Sequence, residues 1–263
     1  MIVRPMTTSD LRSVAALLKS SFDPDLRAYM TYTQEGIDAF LGVRISKPEL
    51  SDGRTYLVYS DDSDRAVGYA EFVQIEPGVQ FLSYLCVAPH MRRRGVATSM
   101  IDYLVRSNDG TGRVELEVFD RNASALALYR NLGYVPVKGG RTWSRRGLPD
   151  AAPIASADLA IPELTVYEPM HAAYGFSQLP VVWRGRAVAL GRIGSTVLRC
   201  FDIAAFTDDS LLAAVRRTFP SLTEAFLVND TNFAPGVGAK VITGVTRMAR
   251  IVHPQPNENG SSA

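Results

Sequence analysis

Apolar and polar positions along the chain follow two periods, and the switches between them mark its elements. Ile2-Val3-Arg4-Pro5 predicts a short strand, and Thr7-Thr8-Ser9-Asp10 supplies the capping residues of a helix start. Leu11, Val14, Ala15, Leu17 and Leu18 follow at helical spacing. A stretch mixing Asp, Pro and aromatics leads to a second helical stripe, Ile37, Phe40 and Leu41. Arg54 to Tyr59 and Ala66 to Ile75 read as strands joined by the polar turn Ser60 to Arg65. The turn Glu76-Pro77-Gly78 leads back into an apolar run, Phe81 to Val87, that reads as a buried strand. It stops at Pro89, and helical spacing resumes at Ala97, Met100, Ile101 and Leu104.

Strict alternation at Val114, Leu116 and Val118 predicts a strand with Glu115, Glu117 and Phe119 on its other face. Asn122 is a good N-cap for a helix carrying Ala125, Leu126, Leu128, Tyr129 and Leu132, which Gly133 closes. Periodicity is then lost in a stretch rich in Pro, Ala and Gly. This predicts a first domain over 1–145, a linker over 146–160 and a smaller α+β domain over 161–252. In the second domain, Leu164 to Tyr167 and Leu179 to Trp183 are expected to be extended. Arg186 to Ile193 and Ser195 to Phe201 are expected to form a hairpin over Gly194. Asp209 to Phe219 has a helical stripe, while Ala225 to Val228 and Val241 to Ile251 read as strands. The tail, 253–263, is low in apolar residues and is expected to be disordered.

Composition narrows the function. The 263 residues, 46% of them hydrophobic, can bury one large core or two modest ones. A formal net charge of +1 gives no field that would draw nucleic acid. The two cysteines, Cys86 and Cys200, are far apart in apolar surroundings, so buried reduced thiols are expected, with neither a disulfide framework nor a metal cluster. His90, His171 and His253 are isolated from one another. The amino terminus lacks the apolar core of a signal peptide, and no apolar run approaches a membrane span. The expectation is a cytoplasmic protein with no membrane or nucleic-acid partner.

The chemistry concentrates where the strand ending at Val87 turns into the following helix. A helix start carries unpaired N–H groups and a positive dipole end, so strand, Gly turn and helix together make an anion site, with Arg92, Arg93 and Arg94 adding charge. The spacing fits neither a Walker motif nor the dinucleotide fingerprint. Arg92-Arg93-Arg94-Gly95-Val96-Ala97 matches Arg/Gln-x-x-Gly-x-Gly/Ala. Downstream, Leu116-Glu117-Val118 precedes Asn122, Ala125, Leu128, Tyr129, Gly133 and Tyr134 on the frame N-x-x-A-x-x-L-Y-x-x-x-G-F/Y. In both motifs the sequence resembles the GNAT superfamily of N-acetyltransferases over roughly residues 1–145. The resemblance implies an α/β fold of the α+β kind, a mixed and mostly antiparallel sheet flanked by helices.

It also implies roles. Acetyl-CoA would lie between two splayed strands, its pantetheine arm on backbone groups of Cys86 and Val87. Its pyrophosphate would sit on backbone N–H groups of Arg93, Arg94, Gly95, Val96, Ala97 and Thr98. Arg92 would serve turn geometry, and Asn122 would cap its helix and border the cofactor. Acyl transfer to an amine needs a neutral nucleophile, a polarised thioester carbonyl and a proton for the leaving thiolate. A backbone donor at the carbonyl is worth ~2.7–4 kcal/mol in such systems. Tyr129 is the expected general acid and Glu117 the expected general base, with Glu71 and Tyr69 as alternatives by the same alternation argument. The family places the acceptor near Phe22, Asp23, Asp25, Arg27, Tyr29, Tyr32 and Thr33, a set suited to a cationic amine with an apolar body and equally to core packing.

The expected activity is acetyl transfer to a primary amine of a small molecule or peptide. A non-catalytic acyl-CoA sensor or a protein-interaction module on the same fold is the alternative. For the second half, a degenerate copy of the first and a generic α+β domain both fit. Phe226 to Asn232, Gly238 and Arg247-Met248 echo the first half in order, but no Arg-x-x-Gly-x-Gly/Ala turn precedes the helix.

Overall fold

The computed structural model describes residues 1–107, 112–150, 158–230 and 238–252. The expected disordered tail, the middle of the expected linker (151–157) and Asn232 lie outside the described residues. In the first half, strands β1 (Ile2–Pro5), β2 (Arg54–Ser60), β3 (Ala66–Glu76) and β4 (Val79–Val87) pair antiparallel in chain order. Strand β5 (Arg113–Phe119) joins β4 in parallel through the crossover helix α4 (Val96–Ser107). Between β1 and β2 lie α1 (Leu11–Ser21), the single turn α2 (Pro24–Arg27) and α3 (Ile37–Ser46). Asp10 fixes the start of α1: Arg4 grips its buried carboxylate at 2.7 and 2.9 Å while it accepts from the Thr7 N–H. The apolar stripe then buries Val14, Leu17 and Leu18 against β3 and β4.

Helix α5 (Ala123–Asn131) follows β5, capped by Asn122 through the Ala125 N–H as its sequence predicts. The chain continues through β6 (Val135–Pro136), β7 (Arg141–Gly147) and β8 (Leu159–Ala160). Helix α6 (Leu164–Tyr174) leads to β9 (Phe176–Gln178), β10 (Val181–Trp183), β11 (Arg186–Val188), β12 (Leu190–Ile193) and β13 (Val197–Cys200). Two helices, α7 (Ile203–Thr207) and α8 (Asp209–Thr218), cross to β14 (Glu224–Asp230), and β15 (Lys240–Ile251) ends the described chain.

Among the described residues, twelve strands form one sheet whose path is β1-β2-β3-β4-β5-β15-β7-β14-β13-β12-β9, with β6 on the side of β15. The two halves share this sheet and interleave their strands in it. β15, from the carboxyl end, lies against β5 of the first half, with Arg247 opposite Glu117 and Met248 opposite Leu116. Conversely β7, from the first half, lies against β14, with Trp143 opposite Val228. β7 and β15 pair with each other at the centre. Each half thus donates its closing strand to the other. Interior edges vanish because every edge there is covered by a donated strand.

The two flanks of that central pair repeat one topology. On one side β4, α4 and β5 form a parallel crossover, and on the other β13, α7 with α8, and β14 do the same. The second half therefore repeats this crossover and the antiparallel strands beside it, with its own core around Phe206, Leu211, Leu212 and Leu227.

Two local expectations fail in the second half. Leu164 to Tyr167 is not extended but begins α6, which continues to Tyr174 across Pro169. Its β-branched and aromatic residues suggested a strand, yet tertiary packing decides the outcome. Tyr174 meets Phe40 edge-on at 5.5 Å, and Gly36 lies so close that a Cβ there would sit 2.0 Å from the Ala173 carbonyl oxygen. The run Arg186 to Ile193 also splits at Ala189. β12 pairs with β13 in the expected hairpin, whereas β11 joins β10 and β8 in a separate three-stranded sheet. No helix among the described residues is long and apolar enough to cross a membrane.

Candidate functional site

A bulge opens the first cleft. β4 and β5 pair from Val79 opposite Arg113 to Leu82 opposite Leu116, and no further. At that point the β3–β4 register shifts, because Glu71 faces Tyr84 and Phe72 faces Leu82, leaving Ser83 as the extra residue in β4. Such an insertion bends its strand, and β4 swings away from β5. Leu85, Cys86 and Val87 then present a backbone edge with no strand beside it. A cavity of about 580 Å³ fills the gap, bounded by this edge, by Arg92, Arg93 and Gly95 to Thr98, and by Asn122, Leu128 and Tyr129 across from them.

The turn at the end of this cleft has the backbone of an anion site. Arg93 and Gly95 both have positive φ, at 60° and 80°. A Cβ at Gly95 would meet no atom within 4 Å, so backbone conformation rather than crowding calls for glycine here. The first helical hydrogen bond of α4 runs from the Ser99 N–H to the Gly95 carbonyl at 2.9 Å. The N–H groups of Val96, Ala97 and Thr98 are consequently without intrahelical partners. Arg92 Nε donates to the Val87 carbonyl at 3.1 Å and locks the turn to its strand. Arg93 borders the cavity, whereas Arg94 is exposed and does not. The matching point of the second half is closed: Asp202 accepts from the Ala205 N–H at 2.7 Å, placing a carboxylate where an anion would have to bind.

A second cavity, about 290 Å³, meets the first at Leu85, Asn122, Ala125 and Tyr129, which border both. Tyr129 is buried at 7% exposure, edge-on to Tyr134 at 5.7 Å, and burial pushes its phenol well above the usual range. It therefore holds its proton at any physiological pH. Glu117 borders the second cavity alone. Burial raises the pKa of its carboxyl, against the opposing pull of Arg141 and Arg247. Arg141 Nε lies 3.2 Å from Glu117 Oε1 and an Arg247 nitrogen 3.9 Å from it, yet that buried oxygen has no aligned hydrogen bond.

Much of the second cavity belongs to the other half. Arg199, Phe226, Val228 and Val245 of the second half line it together with Trp143 of β7 and with Phe22, Tyr29, Phe81, Tyr84 and Phe119. Phe119, Trp143, Phe226 and Tyr29 form an aromatic chain across the junction, with successive ring centres 4.9, 5.0 and 5.0 Å apart.

Several expected acceptor residues are engaged elsewhere. Asp23 and Asp25 face Arg121 at 3.6 and 3.9 Å and do not border the cavity. Arg27 donates to the Phe22 carbonyl, and Thr33 donates to the Arg27 carbonyl, so both shape the loop. Tyr32 lies one layer behind, stacked on Tyr84 at 4.1 Å. Glu71 is fully buried, 2.5 Å from Arg54 Nη1, and accepts from the Tyr69 hydroxyl at 2.9 Å. Neither Glu71 nor Tyr69 borders either of these two cavities. Sequence reasoning missed Arg141, Arg199 and Arg247. Period-two alternation on β7, β13 and β15 would have put each arginine on a face, but not opposite which strand.

Residues 13–134 match the acetyltransferase (GNAT) family. No curated protein matches the sequence. Among solved structures, the fold is similar to a tandem GNAT protein from the clavulanic acid biosynthesis pathway, at 12% identity and a TM-score of 0.67, covering 97% of this chain and 99% of that one. It is also similar to a GCN5-related N-acetyltransferase from Sphaerobacter thermophilus, at 14% identity and a TM-score of 0.58, covering 96% of each chain. At these identities the likeness is one of fold, and it runs through both halves. Over residues 13–134 the chain carries a GNAT-family acetyltransferase domain, and the sheet order of both halves is similar to the tandem GNAT fold.

Proposed function

We propose that this protein transfers the acetyl group of acetyl-CoA to a primary amine of a small molecule. One observation carries the reading: two cavities, of about 580 and 290 Å³, meet at Tyr129. The larger has an open strand edge and an anion-binding turn, which suit a long thioester with a phosphorylated end. The smaller has one carboxylate. Acetyl-CoA, when bound, supplies an activated acyl group and a thiolate to leave. Glu117 then accepts the proton that the ammonium must lose before its nitrogen can attack, and its raised pKa brings it closer to a base suited to neutral pH. Tyr129 holds the proton that the departing sulfur takes as the carbon–nitrogen bond replaces the carbon–sulfur bond. Backbone N–H groups on the open edge from Leu85 to Val87 suit the developing negative charge on the carbonyl oxygen.

The closed second-half turn favours one acetyl-CoA per chain. Free, buried Cys86 and Cys200 suit a reducing compartment such as the cytoplasm. The test is thiol release from acetyl-CoA against a panel of polyamines, aminoglycosides, amino acids and peptides. Sustained release with one class supports transfer. Saturable acetyl-CoA binding with no release from any amine would mark an acyl-CoA-binding protein instead.

A further inference from the structure

We infer that Arg199 is the specificity-determining residue for the acceptor, and that the acceptor is an amine that also bears a carboxylate. The inference rests on the transfer reading for the cavity it occupies. Glu117 and Arg199 are the charged residues lining that cavity, among the described residues. Glu117 lies near Arg141 and Arg247, at 3.2 and 3.9 Å. Arg199 has no such company. None of the ion pairs among the described residues includes it, and its buried Nε has no hydrogen-bond partner. Phe201 lies 4.9 Å from its guanidinium and offers a ring face, which carries no negative charge to balance the cation.

The sequence places that cation on purpose-built backbone. On β13, Leu198 and Cys200 point into the second core, so Val197 and Arg199 take the opposite face, towards Tyr29 and Phe226. Arg199 sits opposite Phe226 on β14, which lines the same cavity. Burial chiefly disfavours its charge, Tyr84 opposes that effect, and the nearby Arg141 adds to it. A half-buried guanidinium with an unmet donor is costly unless something anionic completes it. A ligand carboxylate matches its planar fork in two hydrogen bonds. The remaining wall is mostly aromatic and aliphatic, interrupted by Thr31, Ser83 and Asn122, and about 290 Å³ admits a small body. The cavity thus offers a base for the ammonium, a cation for a carboxylate and an apolar lining, which together describe an amino acid with an apolar side chain.

The test measures binding and turnover separately on the full-length protein. N-acetyl valine, leucine and phenylalanine are titrated calorimetrically in the presence of CoA, each beside its carboxamide. At least one acid is expected to bind about tenfold or more tighter than its amide. Arg199→Met should erase that preference, and Arg199→Lys should keep part of it. Unchanged acetyl-CoA affinity in both variants reports an intact fold. The inference is overturned if no acid outbinds its amide, or if Arg199→Met preserves the preference. Thiol release with the free amino acids is scored independently. A carboxylate preference without thiol release from any amine of the wider panel would refute transfer and leave Arg199 as a carboxylate-binding residue of this cavity.

Discussion

Arg247 holds Glu115 from 132 positions away in the chain, one guanidinium nitrogen 2.5 Å and another 2.7 Å from the same carboxylate oxygen. The contact ties the last strand of the second half to the strand that carries Glu117. Strand exchange therefore does more than join two domains. It brings Arg141 and Arg247, one from each central strand, to the candidate base, and it closes the acceptor cavity with Trp143 and Val245.

Truncation should expose this dependence. A 1–150 fragment loses β15, and with it the partner of every residue from Arg113 to Phe119 on that side of β5. It also leaves β7 without its partners β14 and β15. Open, apolar strand edges associate, so the fragment should be aggregated or unfolded in size-exclusion chromatography and circular dichroism. A soluble monomer that acetylates the same amine at the full-length rate would refute the dependence.

Gly95 separates backbone strain from charge. Its φ is 80°, and a Cβ there has room. Gly95→Ala should cost ~1 kcal/mol of stability through strain, with a small effect on acetyl-CoA affinity. Gly95→Glu adds a negative charge at the helix start and should weaken acetyl-CoA more than tenfold, ~1.4 kcal/mol. Calorimetry with equal affinity for both folded variants would displace the pyrophosphate from this turn.

Glu117 should write the acid limb of the pH profile. Its pKa is raised chiefly by burial. A base with raised pKa is protonated, and idle, over a wider acidic range. Turnover should therefore rise with pH through a midpoint above the ordinary glutamate value, then level off. Glu117→Gln should lower turnover ~10²–10⁴-fold and abolish that limb. If the limb survives in the variant, another group is the base.

The parts read correctly from sequence are those whose determinants are contiguous. The turn from Arg92 to Thr98 and the frame from Asn122 to Tyr134 each span one local unit, so spacing alone set their geometry. The exceptions depend on distant partners. Leu164 to Tyr167 has the residues of a strand, and the fit of α6 onto Gly36 makes it helix. Asp23 and Asp25 looked available to an acceptor because nothing nearby in sequence pointed to Arg121. The alternation of Val241 to Ile251 predicted β15, but pairing between strands is not written in either strand alone.

The cysteines offer a check on burial in both halves. Burial pushes the thiols of Cys86 and Cys200 up to about 12. At pH 8 about one part in 10⁴ of each is thiolate, and neither is accessible. The native protein should react negligibly with a disulfide reagent such as Ellman's, and both thiols should react once it is unfolded in guanidinium. Fast labelling of one thiol in the native state would show that its half of the sheet opens.

Tyr129 decides whether the junction of the two cavities is chemical or merely shaped. Its ring packs against Tyr134, and its hydroxyl keeps its proton because burial raises its pKa, helped by Tyr134 and Cys86. Phenylalanine preserves the ring and its packing but removes the proton. If Tyr129 protonates the leaving sulfur, Tyr129→Phe should leave acetyl-CoA affinity and melting temperature near wild type while turnover falls ~10²–10⁴-fold. A donor selenoester or aryl thioester, whose leaving group needs a proton less, should recover much of the loss. Loss of stability with proportionate loss of binding would assign the residue to packing. Wild-type turnover in the variant would remove it from the reaction altogether.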